Sequence, residues 1–81
     1  MVFFVINRTV YESYVSLGAA KSPLWVCSGV LSNQELEALR AEGADITNFD
    51  YSLDAGDHEG IKGALSTIQE HHPGHTVWVG Y

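Results

Sequence analysis

The sequence predicts a small α/β domain with a largely parallel four-stranded sheet in βαβαβαβ order. Three observations carry this. Apolar β-rich runs recur at "VFFVI", "PLWVCSG" and "TVWVGY". Strong helix-start signals follow "PLWVCSG", and a 3.6-residue apolar period precedes "TVWVGY". The spacing between runs leaves room for crossover helices rather than tight hairpins.

The first run, "VFFVI", has the continuous apolar character of a strand buried on both faces. The next segment, "TVYESYVSLG", contains Thr9 and Glu12 at capping-box spacing, with Tyr11, Tyr14, Val15 and Gly18 at helical intervals. A helix is the preferred reading. The alternative is an N-terminal β-hairpin replacing that helix, turning through Asn7 and Arg8, a poor substitute for the Asn-Gly or Asp-Gly of tight hairpins.

The second unit is more sharply marked. Ser32 and Glu35 have S-x-x-E spacing, and Leu31 with Leu36 can close a hydrophobic staple across the helix start. Leu36, Ala38 and Leu39 form a narrow apolar face, and Gly43 can take the left-handed conformation that ends a helix. The spacing predicts a helix from about Asn33 to Glu42, and "ADITNFDY" is then the parallel strand that it delivers. In the third unit Asp54 or Asp57 caps a helix in which Ile61, Ala64, Leu65 and Ile68 fall at i, i+3, i+4 and i+7. Gly56, Gly60 and Gly63 weaken it where they lie in its interior, by about 1 kcal/mol each relative to alanine.

Residues 1–81 are read as one domain, because so short a chain hides only about 60% of its unfolded surface. Apolar residues make up 46% of the chain, which places it with folded rather than disordered sequences. The formal net charge of −6 sets ten acids against Arg8, Lys21, Arg40 and Lys62, which are scattered along the chain. Nucleic acid and anionic membrane surfaces are therefore not expected partners, since both are bound through clustered bases. The opening "MVFFVI" is too short to span a bilayer and lacks the positive leader and cleavage site of a signal peptide. A cytoplasmic location is expected.

Cys27 is the only cysteine, which excludes an internal disulfide and any CxxC motif. A phosphatase-like loop would place arginine six residues after it, where Asn33 stands, so Cys27 reads as packing. No GxGxxG follows the first strand and no GxxxxGK[ST] occurs. Ser28 has no identifiable histidine and acid partners, and no cofactor is expected.

In an open parallel sheet, ligands bind beyond the carboxyl ends of the strands, where helix N-termini also point. That edge should carry Arg8, Ser28, Gly29, Asp50 and Tyr51, the candidate ligand-binding residues, with Arg8 suited to recruiting an anion. Asp50 and Asp54 are the available carboxylate pair there, too generic to name a reaction. Six acids from Glu42 to Glu59 without a lysine or arginine could serve as a hard-cation site or an acidic docking face, but they lack the ligand spacing of a calcium loop and are read as a solvated segment with capping aspartates.

The stretch "EHHPGH" places Glu70, His71, His72 and His75 within six positions, but it leads into a strand and so lies at the opposite edge. His71 and His72 suit the negative end of a helix, and Pro73-Gly74 is a stop and turn. A zinc or nickel site here would be built from His71 or His72 with His75; helix termination is the expectation, and no metal.

Phe3, Phe4, Trp25, Phe49 and Trp78 are core candidates, whereas Tyr11, Tyr14, Tyr51 and Tyr81 exceed what a small core absorbs. Tyr11 and Tyr14 are the candidate interface residues, tyrosine being favoured at protein contacts. The sequence is thus read as a small acidic interaction or accessory protein without catalysis, whose partner is another protein or a second copy. The alternative is a domain that binds a small ligand or anion at the carboxyl-end edge, conceivably a minimal enzyme.

Overall fold

A computed structural model describes residues 1–18 and 22–80. Seven elements alternate along the chain: β1 (Val2–Val5), α1 (Arg8–Ser16), β2 (Leu24–Val26), α2 (Asn33–Ala41), β3 (Ile46–Asn48), α3 (His58–His71) and β4 (Val77–Gly80). The four strands form one all-parallel sheet in the order β3-β2-β1-β4. The N-terminal hairpin is therefore excluded, and Lys21 and Tyr81 lie outside the described residues. Among the described residues no helix is long and apolar enough to cross a membrane.

The strand order explains the layering. Chain progress from β1 through β2 to β3 runs one way across the sheet, then reverses to reach β4 beyond β1. Right-handed crossovers in opposite directions place helices on opposite faces. Register agrees with this: Phe3, Leu24, Ile46 and Trp78 share one face, where the ring of Tyr14 of α1 packs tilted against that of Phe3 with centroids 5.0 Å apart. Phe4 and Trp25 share the other, where Trp25 meets His71 of α3 and His72, which caps it. The result is three layers, with β1 at the centre fully buried at Val2, Phe4 and Val5.

Local chemistry sets the helix starts. In α2 the Ser32 side chain accepts from the Glu35 amide at 3.1 Å while the Glu35 carboxylate accepts from the Ser32 amide at 3.0 Å. Leu31 and Leu36 are both buried, as a hydrophobic staple requires. Asp57 caps α3, accepting from the Gly60 amide at 3.0 Å, and Gly43 closes α2 at φ +93°. The cap of α1 differs from the expected Thr9: Asn7 accepts from the Val10 amide at 2.9 Å, and the helix starts at Arg8. Asn7 sits two residues beyond β1 and is a stronger capping residue than threonine, so it starts the helix first.

Candidate functional site

The carboxyl-end edge is tightly cross-linked by its own residues. Nη1 of Arg8 lies 2.9 and 2.7 Å from the two Glu35 carboxylate oxygens and 3.3 Å from the Val30 carbonyl. Its guanidinium also approaches Glu12 at 3.7 Å and stands over the Tyr11 ring at 5.2 Å. Arg8 thus joins the start of α1 to the start of α2, and its charge already has a carboxylate partner. Glu35 is held below the usual carboxylate range by the Ser32 backbone amide and then by Arg8. Arg8 is raised correspondingly, chiefly by its hydrogen bond to Glu35.

The other expected residues of this edge fall on two adjoining loops. The Ser28 amide donates to the Tyr51 carbonyl at 2.9 Å, tying the loop after β2 to the loop after β3. Gly29, at φ +86°, and Asp50 are exposed, and Tyr51 is 40% exposed with its ring 5.0 Å from Phe49. Arg8 is bonded to Val30 and Glu35, and Ser28 to Tyr51; no hydrogen bond or ion pair joins the two groups directly. Where the winding reverses, between β1 and β4, Val10 packs onto Gly80 so closely that a Cβ at that glycine would collide with Val10 Cγ1. Cys27 is fully buried, and burial pushes its thiol up, with a partial offset from a hydrogen bond to the Leu53 backbone.

His71, His72 and His75 lie at the opposite end of the sheet. Nε2 of His72 accepts from the Trp25 indole at 3.2 Å, and Nδ1 of His71 sits 3.0 Å from the Thr67 carbonyl. The rings of His72 and His75 are 6.1 Å apart and nearly perpendicular. Among the described residues no group of three or more histidine, cysteine, aspartate or glutamate side chains could hold a metal ion.

A cavity of about 420 Å³ opens on the α1–α2 face, near the amino ends of β2 and β3. Its floor is Tyr14, Leu24 and Ile46, all buried, with Leu39 beside them. Tyr11 and Val15 form the wall on α1, while Glu42, Gly43, Ala44 and Asp45 form the opposite rim where α2 turns into β3. Burial pushes the Tyr11 and Tyr14 hydroxyls up, so both stay neutral and protonated at physiological pH.

No family model, curated protein or solved structure matches this chain.

Of the two tyrosines expected on a contact surface, Tyr11 is half-buried and reaches the cavity wall. Tyr14 is only 6% exposed and belongs to the cavity floor. The expectation of two accessible tyrosines is thus corrected for Tyr14, because Phe3 offers it an aromatic neighbour under α1. The sequence does not single out Leu39, Ala44 or Ile46 as site residues, and it offers Glu42 and Asp45 only as part of an acidic run whose preferred reading is a solvated segment. The available signal was the narrow apolar face of α2, which leaves space beside α1 when only Leu36 and Leu39 face inward.

Proposed function

We propose that this chain is a small acidic cytoplasmic interaction domain without catalytic activity, and that its contact face is the α1–α2 cavity with the surface around it. The observation that carries this reading is a cavity with a buried apolar floor beside exposed apolar residues. Val15 is 55% exposed at the wall of the cavity, and Leu17, 57% exposed, follows at the end of α1. Exposed apolar surface rimmed by polar groups marks binding sites in soluble proteins. A cavity of this size falls within the roughly 300–1,000 Å³ of pockets that bury a ligand or an anchoring group.

The carboxyl-end edge has less to offer a ligand, since Arg8 is paired with Glu35 and the Ser28 amide is taken by Tyr51. Amide NMR with a set of apolar and aromatic fragments tests the reading. Saturable shifts clustered at Leu24, Leu39, Ala44 and Ile46 are expected. Shifts clustered instead at Arg8, Ser28, Gly29 and Asp50 would replace it with anion or small-ligand binding at the strand carboxyl ends.

A further inference from the structure

Three features of the α1–α2 cavity restrict what can occupy it. The first is charge. Glu42 and Asp45 stand on its rim, and no lysine, arginine or histidine among the described residues lines it. The rim also coincides with the C-terminal end of α2, which carries the negative pole of the helix. Arg40, the one base of that turn, has Nη2 on the Ile46 carbonyl at 2.9 Å and is not part of the lining. An occupant therefore meets an apolar floor and a negative lip.

The second feature is extent. A small molecule seated on Leu24 and Ile46 would leave Leu17 uncovered, because that residue lies outside the cavity lining. An extended peptide crossing the mouth can cover both Val15 and Leu17. The third is the charge of the chain itself. A second copy brings another −6 and only four bases, of which Arg8 and Arg40 are already engaged.

We propose that the α1–α2 cavity receives an apolar side chain of a protein partner, with a lysine or arginine next to it in the partner's sequence that pairs with Glu42 and Asp45. This rests on reading the cavity as the contact face. The apolar anchor supplies affinity through burial. The adjoining base supplies orientation and selects against acidic partners.

A randomised peptide library displayed on phage and panned against the whole protein tests this. Enriched peptides are then measured by fluorescence anisotropy against the wild type, Val15→Trp, and the double variant Glu42→Gln with Asp45→Asn. All three substituted positions are exposed, so the fold should tolerate the changes. The expected result is enrichment of an apolar residue beside a lysine or arginine. Binding should fall at least tenfold in Val15→Trp, whose indole covers the mouth, and roughly three- to tenfold in the double variant, with the difference shrinking at high salt.

Peptides lost in Val15→Trp but lacking a base, or unaffected by the double variant, would overturn the charge selection while leaving the contact face standing. No enrichment, or enriched peptides indifferent to Val15→Trp, would remove both. A wild-type dimer in sedimentation that Val15→Trp converts to monomer would also overturn the proposal, by making a second copy the occupant.

Discussion

The indole N–H of Trp25 donates to Nε2 of His72 across 3.2 Å and fastens the second strand to the end of the last helix. This requires the His72 tautomer with its proton on Nδ1. Trp25 is 5% exposed, so its N–H has little access to water if the acceptor is removed. His72→Leu should therefore cost about 1 kcal/mol or somewhat more, the penalty for stranding a mostly buried donor. A double-mutant cycle with Trp25→Phe should return a coupling of about 1 kcal/mol, and the Trp25 indole resonance should move in His72→Leu alone. No coupling would mean that the ring contacts at 5.4 and 6.0 Å, rather than the hydrogen bond, hold this corner.

Glu35 should make the protein sensitive to acid. Its carboxyl is held low, first by the Ser32 amide and then by Arg8, so its folded value lies below its unfolded one. The resulting stability is complete above the ordinary carboxylate range and is lost as pH falls through the depressed folded value. Urea midpoints of wild type and Glu35→Gln should differ at neutral pH and converge in acid. Arg8→Met should behave alike but more weakly, since the larger cause, the Ser32 amide, is still present.

Two glycines in α3 should respond differently to alanine. At Gly63 an added Cβ meets nothing within 4 Å, so Gly63→Ala should stabilise by about 1 kcal/mol through helix propensity alone. In a domain of this size that raises Tm by roughly 4–8 °C. At Gly60 the Cβ would lie 2.5 Å from both Asp57 Oδ2 and Leu53 Cδ2. Displacing Asp57 from its capping position costs about 1 kcal/mol, which offsets the gain. Thermal unfolding of the two variants should show a rise for Gly63→Ala and none for Gly60→Ala.

Cys27 should resist thiol reagents in the native state. Its side chain is fully buried and its thiol is pushed up by burial, so neither access nor ionisation favours reaction. Labelling should be slower than in denaturant by roughly a thousandfold or more, following the population of open molecules. Rapid native labelling would show that the loop from Cys27 to Leu31 opens far more often than the rest of the sheet.

Much of this fold was legible from short-range signals. Ser32 with Glu35, Leu31 with Leu36, Gly43 after its helix and the period from Ile61 to Ile68 act between residues three to seven positions apart. Such interactions depend on neighbours in the chain, so they can be read without knowing the fold. The start of α1 was harder, because Asn7 and Thr9 compete for one cap and the winner depends on how β1 delivers the chain.

The functional surface was much less legible. Arg8 looked free to bind an anion, yet Glu35, 27 positions away, pairs with it once α1 and α2 lie side by side on one face. Tyr14 looked like surface until Phe3 and the α1 packing buried it. The cavity between Tyr11, Leu39 and Ile46 has no signature in any one segment. The sequence by itself determined the acidic character of the chain and the alternation of its second and third units, with the bounds of α2 close to those observed, whereas the strands after α1 and α2 end three residues earlier than their apolar runs. Only the tertiary structure decided which charges are paired and where apolar surface stays open, because both depend on the spacing of helices whose contacts are remote in sequence.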